Sequence, residues 1–224
     1  MPKILIVDDV PDNVKLLSLC LYDEGYDICT ASNGQEALDV VDLEKPDTIL
    51  MDIMMPVMDG IEACARLRRH PEYRTIPIIL VTALSQEDDV VRGLDAGADD
   101  YISKPFNPRT VAARTRASVH RYMIQLENQR LMDELQKLAT TDALTGIRNR
   151  RTFFTLFDQE WRRCDRTGSD LSCVMIDVDH FKLLNDNHGH ITGDKVLKAI
   201  AIALEAGLRQ SDILCRYGGE EFCA

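Results

Sequence analysis

Apolar and polar positions alternate in regular blocks along the first half of the chain. The short apolar runs Ile4–Asp8, Ile28–Ala31, Thr48–Met51, Ile78–Val81 and Asp100–Ile102 read as strands. Between them, helical patterns cover Pro11–Glu24, Gly34–Glu44, Gly60–Arg69 and Glu87–Ala96. Gly25, Asn33-Gly34, Pro46, Asp59-Gly60, Pro77 and Gly97 supply the breaks. Strands alternating with helices predict successive βα units on a parallel sheet, hence an α/β fold. A long pattern follows from Asn107 to Ala139. Asn107 can cap it and Pro108 gives up an N–H that has no helical partner at that position. Ala117, Arg121, Ile124, Asn128, Leu131, Leu135 and Leu138 step by fours and threes, the spacing of a coiled-coil seam with one Asn at a core position. The alternative is a terminal helix packed only on its own domain.

The second half is patterned differently. Thr141 to Arg151 reads as a polar turn, and Thr152–Arg166 as a helix whose apolar face holds Phe153, Phe154, Leu156, Phe157 and Trp161. Leu171–Asp179 reads as an apolar, central strand, with Asp177 and Asp179 on one face. Asn185–Asp194 has the composition of a loop; Lys195–Leu208 reads as a helix and Ile213–Tyr217 as a strand. Gly218 and Gly219 then sit where a hairpin tip would use positive φ or close backbone approach. The predicted organisation is a domain over 1–119, a helical linker over 120–140, and a second domain over 141–224.

Composition narrows this picture modestly. With 224 residues and 45% hydrophobic content there is enough apolar material for one or two ordinary domains. The formal charge of −11 argues against a nucleic-acid or anionic-membrane partner, and no basic stripe offsets it. No apolar run reaches spanning length and no cleavable leader is apparent, so the expected location is the cytoplasm. The seven cysteines lack metal-ligand spacing and read as reduced thiols, mostly small core residues.

Candidate chemistry in the first half gathers at one edge. Asp8 and Asp9 follow the first strand and Asp52 ends the third, so three carboxylates fall at the carboxyl edge of a parallel sheet, where ligands bind. Their mutual repulsion calls for a cation, and hard oxygen donors suit Mg²⁺. Thr82 and Lys104 end two further strands at that edge, and a hydroxyl, an ammonium and a metal make a cradle for a phosphoryl group. These residues, with Met51-Asp52-Ile53-Met54-Met55-Pro56, Thr82-Ala83 and Lys104-Pro105-Phe106, resemble the receiver domain of two-component response regulators. The resemblance implies a flavodoxin-like, doubly wound five-stranded sheet and phosphoryl transfer from a histidine kinase to Asp52. It also implies Mg²⁺ held by Asp8, Asp9, Asp52 and the Met54 carbonyl, Lys104 and Thr82 at the phosphoryl group, Tyr101 as a switch aromatic, and a cis Lys104-Pro105 bond. Tyr101 reads equally as a half-buried strand aromatic.

In the second half, Asp-x-Leu-Thr-Gly at 142–146, Asp-x-Asp-x-Phe-Lys at 177–182, Asn-Asp-x-x-Gly-His-x-x-Gly-Asp at 185–194 and Arg-Tyr-Gly-Gly-Glu-Glu-Phe at 216–222 resemble the GGDEF family of diguanylate cyclases. That resemblance implies an α+β, palm-like domain that condenses two GTP into cyclic di-GMP. By it, Asp177, Glu220 and the Val178 carbonyl would hold Mg²⁺, and Glu221 would lie beside the 3′-hydroxyl as ligand or proton acceptor. Asn185 and Asp194 would read the guanine edge, Lys182 would meet the triphosphate, and Gly218 and Gly219 would line the GTP site. Arg209 and Asp212 would form an inhibitory product site, an Arg-x-x-Asp spacing that also arises by chance. Family members continue well past the position of Ala224. The second domain is therefore expected to be incomplete, with the last strands exposing an unpaired edge and the Trp161 helix lacking cover. Two functions follow: a receiver-controlled, dimeric cyclase, or a phosphorylation-dependent dimer whose GGDEF domain is inactive or truncated and acts as a binding module. A receiver followed by an unfolded tail is a third.

Overall fold

In a computed structural model of the chain, the described residues are 1–83, 87–209 and 211–224, with backbone alone for Asp23, Ala83 and 87–89. They fall into two compact units, Met1–Gln129 and Arg130–Ala224.

The first unit carries five parallel strands, β1 (Lys3–Val7), β2 (Asp27–Ala31), β3 (Thr48–Asp52), β4 (Ile78–Ala83) and β5 (Asp100–Lys104), in the order β2-β1-β3-β4-β5. The helices are α1 (Pro11–Leu21), α2 (Gly34–Glu44), α3 (Gly60–Arg69), α4 (Glu87–Asp95) and α5 (Pro108–Thr140), with a 3-10 turn at Tyr22–Glu24 ending the first predicted helical stretch. Because side chains alternate across a strand, each strand feeds two cores. Leu5, Val7, Ile49, Met51, Ile78 and Leu80 pack against Ala37 and Val41 of α2 and Ala63, Cys64 and Leu67 of α3. Ile4, Ile6, Leu50, Ile79 and Ile102 face the other way, onto Leu17 and Leu21 of α1 and Val111 and Val119 of α5. The helix starts are fixed as the residue types dictate. Asn33 and Asp59 accept from the Glu36 and Glu62 N–H groups at 2.9 and 2.7 Å, and Asn107 accepts from the Arg109 N–H at 3.0 Å.

The helix α5 is continuous for 33 residues, about 50 Å at 1.5 Å per residue. Its buried residues, Val111, Thr115, Ser118 and Val119, all lie in its first half. Beyond them Ile124, Leu131, Met132, Leu135 and Leu138 are exposed.

In the second unit, four strands, β6 (Arg148–Asn149), β7 (Met175–Asp177), β8 (Cys215–Gly218) and β9 (Glu221–Cys223), run in the order β6-β8-β9-β7. The helix α6 (Arg150–Thr167) covers one face through Phe153, against Cys215 and Cys223. The other face packs Phe222 and Leu214 against Leu197 and Ala201 of α8 (His190–Gly207), with Phe181 of α7 (Phe181–His188) beside them.

Several expectations are corrected here. The β8–β9 hairpin is the interior of its sheet and not an unpaired edge: β6, two residues from the stretch expected to be a polar turn, pairs with β8, and β7 pairs with β9. The strand expected over Leu171–Asp179 shrinks to Met175–Asp177 and lies at the sheet edge, not its centre. Val174 exchanges hydrogen bonds with Ala224, continuing the β7–β9 register by one residue. With one neighbour only, Val174 and Met175 are each 54% exposed. The loop expected at Asn185–Asp194 is the end of α7 and the start of α8, broken only at Gly189, whose φ is +80°. Phe181 and Leu197 hold the two helices on the core, and packing overrides the turn-like composition. Trp161, on α6, is 59% exposed.

Candidate functional site

Parallel strands bring the first-half residues to one edge. Asp8 follows β1, and Asp52 and Lys104 end β3 and β5; Thr82 lies in β4, next to Val81, which pairs with Asp52. Ligand oxygens of Asp8, Asp9 and Asp52 all lie within 4.8 Å of one another, the only such group of three among the described residues. Asp8 and Asp52 are buried while Asp9 is exposed. The Lys104 ammonium bridges the two buried acids, 3.1 Å from Asp8 and 3.0 Å from Asp52. Asn13 donates to both Asp8 oxygens at 2.9 and 3.0 Å, and the Val10 N–H donates at 2.9 Å, which orients that carboxylate.

The electrostatics follow from burial. Loss of solvent pushes the Asp52 carboxyl above its ordinary range, and the Asp8 charge adds to this; the hydrogen bond from Lys104 and its charge offset only part. Burial works against the Lys104 charge too, but Asp52 and Asp8 together outweigh it and hold that pKa above the usual lysine value. The donor set is all oxygen and partly open at Asp9, which fits a hard divalent ion that keeps some water.

The loop after Asp52 is tightly constrained. A Cβ on Gly60 would stand 2.1 Å from the Asp52 carbonyl, so only glycine lets α3 begin against β3, and the Gly60 N–H donates to the Ile53 carbonyl at 3.0 Å. Val57 has φ +69°, a left-handed conformation that a β-branched residue adopts only under strain. Met54 sits in this loop and is 65% exposed. The Lys104-Pro105 bond is cis. Tyr101 is 39% exposed, and the Arg114 guanidinium lies 5.6 Å from its ring centroid.

In the second unit the ladder sets Asp177 opposite Glu221, so both side chains leave the same face, and the Val178 N–H donates to the Glu220 carbonyl in the hairpin turn. Neither Gly218 nor Gly219 takes the positive φ expected at the tip. A Cβ on Gly218 would stand 3.0 Å from the Glu221 carboxylate, so the missing side chain makes room for that acid instead. The Asn185 side-chain oxygen is buried without a partner and lies 2.0 Å from where a Gly193 Cβ would be. Asp194 and Lys182 are exposed on α8 and α7. Arg209 and Asp212 close a turn on themselves: the Arg209 N–H donates to the Asp212 carboxylate at 2.9 Å and the Asp212 N–H to the Arg209 carbonyl at 2.9 Å. Gln210, inside that quartet, lies outside the described residues.

Residues 4–116, half of the chain, match the family described as response regulator receiver domain. The chain belongs to that family. Residues 139–224 of this response regulator match the diguanylate cyclase, GGDEF domain. It is similar to the response regulator PleD of Caulobacter vibrioides, 26% identical over 369 aligned positions that cover 98% of this chain and 81% of PleD. It is also similar to the alkaline phosphatase synthesis transcriptional regulatory protein PhoP of Bacillus subtilis, 46% identical over 132 residues, 59% of this chain and 54% of PhoP. Among solved structures, the signal receiver domain of a signal transduction histidine kinase from Syntrophus aciditrophicus is 41% identical with a TM-score of 0.51, covering 54% of this chain and 91% of its own. The chemotaxis response regulator CheY4 of Vibrio cholerae is 34% identical with a TM-score of 0.50, covering 53% and 98%.

Three groups around these sites escaped the sequence reading. In the receiver, Asn13 has no signal beyond its place in the first turn of α1. In the GGDEF domain, Arg216 donates two hydrogen bonds to the Gly219 carbonyl, at 3.0 and 2.7 Å, and reaches the Asp142 carboxylate at 3.1 Å. Asp142 also accepts from the Thr145 N–H and hydroxyl at 2.9 and 2.7 Å. Burial raises the Asp142 pKa, but the Thr145 and Arg216 hydrogen bonds outweigh that and hold it below the usual value. Both residues stand inside recognised motifs; what the sequence withholds is that they meet. Among the described residues, no helix is long and apolar enough to cross a membrane.

Proposed function

We propose that this response regulator uses phosphorylation of Asp52 to control dimerisation and the synthesis of cyclic di-GMP from two GTP. In this reading residues 1–119 are the input receiver, 120–140 a helical linker pairing with its copy, and 141–224 the output. A histidine kinase supplies the phosphoryl group: the Asp52 carboxylate attacks its phosphorus, the P–N bond breaks, and the kinase's imidazole leaves. Lys104, held between Asp8 and Asp52, then turns its ammonium to the new phosphoryl oxygens, with the Thr82 hydroxyl beside it. Asp8, Asp9, Asp52 and the Met54 carbonyl would hold Mg²⁺, as would Asp177, Glu220 and the Val178 carbonyl in the output. Bound there, the ion supplies positive charge to phosphate oxygens.

In the output domain Asn185 and Asp194 bind the guanine edge. An acceptor-only carboxylate suits the N1–H and exocyclic amine and rejects adenine. Lys182 meets the triphosphate, Gly218 and Gly219 let it approach the backbone, and Glu221 orients or deprotonates the 3′-hydroxyl. Each domain carries one GTP, so joining two is a proximity effect that dimerisation supplies. Arg209 and Asp212 bind product as a brake. GTP and a kinase donor place the protein in the cytoplasm.

The observation that supports this best is Asp177 set opposite Glu221 beside the glycine turn, in a chain whose receiver holds a buried Asp52–Lys104–Asp8 cluster. The test is chromatography of products from the purified chain with GTP and Mg²⁺, with and without acetyl phosphate, alongside its sedimentation. Cyclic di-GMP that rises with acetyl phosphate in step with dimer, and vanishes in Asp177→Ala, is expected. GTP left intact by a dimer that still forms on phosphorylation would overturn the enzymatic part.

A further inference from the structure

We propose that Cys173 and Cys223 are a reversible oxidation site, joined as a disulfide by peroxides. Their Sγ atoms are 3.4 Å apart. Cys173 is the exception among seven thiols otherwise buried or half-buried: it is exposed, in the irregular stretch before β7. It also lines a cavity of about 380 Å³ together with Phe153, Phe157, Cys164, Leu171 and Ala224, which gives a small oxidant a route to the pair. Cys223 is 2% exposed, fixed in β9 and unable to move far. A disulfide needs about 2.05 Å between sulfurs, so closure requires roughly 1.4 Å of approach. Cys173 lies outside the ladder and can supply that by a side-chain rotation and a small shift of its segment.

The placement makes the bond consequential. The ladder sets Met175 opposite Cys223 and Asp177 opposite Glu221, all on one face, and the Sγ contact brings Cys173 to Cys223 there. The bond would therefore clamp the edge strand to the interior hairpin on the face that carries the paired acids. Cys215 stands across β8 from Cys223 on that face, but it is fully buried beneath α6.

The chemistry balances with a hydroperoxide as oxidant. The Cys173 sulfur, as thiolate, attacks one peroxide oxygen; the O–O bond breaks, and the leaving hydroxide takes a proton to become water. Cys223 is pushed up to about 12, first by burial and then by its hydrogen bond with Cys173, so it keeps its S–H until the second step. Its sulfur then displaces hydroxide from the Cys173 sulfenic acid, its proton leaves with that hydroxide as a second water, and the S–S bond forms. Two thiols are oxidised and one peroxide is reduced to water.

The test exposes the whole chain to hydrogen peroxide, alkylates the remaining thiols, and maps tryptic peptides without reduction. Cleavage after Arg166, Lys182 and Arg216 places Cys173 on 167–182 and Cys223 on 217–224, separate from Cys215. A 167–182/217–224 pair that dithiothreitol splits is expected. It should be lost in Cys173→Ser, a change at an exposed position that leaves the core intact, and kept in Cys164→Ala. Free thiol on 217–224 while Cys173 goes to sulfinic acid, to Cys164 or to a second chain would overturn the proposal.

Discussion

Replacing Arg216 with Ala removes the tie between the hairpin turn and the start of the GGDEF domain, and the structure allows its cost to be worked out. Two guanidinium hydrogen bonds to the Gly219 carbonyl are lost, together with an ion pair to Asp142 whose side chains are 16% and 23% exposed. A hydrogen bond involving a charged group contributes about 1.5–3 kcal/mol when its partner is left buried. Gly219 is exposed, so water re-solvates its carbonyl and the lower end applies. The ion pair lies between the near-zero of an exposed pair and the ~3–5 kcal/mol cost of breaking a buried one, and Asp142 keeps its Thr145 bonds, so about 1 kcal/mol is reasonable. Counting the fork as one bond because both arms share a single acceptor, the sum is ~2–3 kcal/mol, or a fall in midpoint of roughly 10–20 °C for a domain of this size.

The assay is selective by good fortune. The single tryptophan, Trp161, is in α6, so its fluorescence during thermal or urea unfolding follows the GGDEF unit alone. Arg216→Lys, which keeps the charge and loses the fork, should recover only part of the loss. The pH dependence has a definite sign. Asp142 has a folded pKa below its unfolded value, so its stabilisation is present above the unfolded carboxylate pKa of about 4 and is lost as pH falls through the folded pKa. The gap between wild type and Arg216→Ala should narrow over that acid range, leaving the Gly219 share. A variant within about 0.5 kcal/mol of wild type at neutral pH would refute the reasoning, since that is the scale of an ordinary surface substitution.

Asp52→Asn should raise the receiver's unfolding midpoint at neutral pH while abolishing phosphorylation. Its pKa is raised on folding, so the charged form destabilises the fold at pH values above the unfolded pKa, and the difference should close as pH falls through the folded value. Added Mg²⁺ should stabilise the wild-type receiver, by about 2.7 kcal/mol at a hundredfold excess over Kd, and the Asn variant less; circular dichroism melts check both. Val57→Gly should stabilise the receiver by about 1 kcal/mol in urea, because Val57 is 85% exposed and contributes little beyond its strained φ. Gly193→Ala should drive its Cβ into the Asn185 side chain, costing ~1–3 kcal/mol in the tryptophan melt and weakening binding of a fluorescent GTP analogue; unchanged GTP binding would separate Asn185 from the guanine site.

The receiver was legible because its signals are local. Strands buried on both faces are continuous apolar runs, and Asp8, Asp52, Thr82 and Lys104 fall at strand ends, so a correct strand assignment already places them on one edge. Even the caps at Asn33, Asp59 and Asn107 follow from residue type. The GGDEF half was less legible because its structure is decided at long range. Nothing in Arg148-Asn149 marks a strand; it is one because β8 offers an edge to it. Asn185–Asp194 carries turn-forming residues, yet Phe181 and Leu197 fold it into helices by packing on Phe222.

The same long-range contacts join the end of α5 to the glycine turn within the second unit. Asn149 caps α6 and donates its side-chain amide to the Ala139 and Thr141 carbonyls at 2.9 and 3.3 Å, which fixes the end of α5 to the domain. Asp142 follows that end by two residues, its N–H donates to Ile147, and its carboxylate holds Arg216, which holds Gly219. From the last turn of α5 to the glycine turn the path is therefore one short peptide, one ion pair and one forked hydrogen bond. A displacement of the helix would reach the Asp177–Glu221 face through Arg216 or not at all by this route. Contiguity alone does not make coupling. If the route is used, Arg216→Lys in the full chain should weaken the response of turnover to Asp52 phosphorylation more than it weakens GTP binding. Equal losses in both would make Arg216 a structural clamp only.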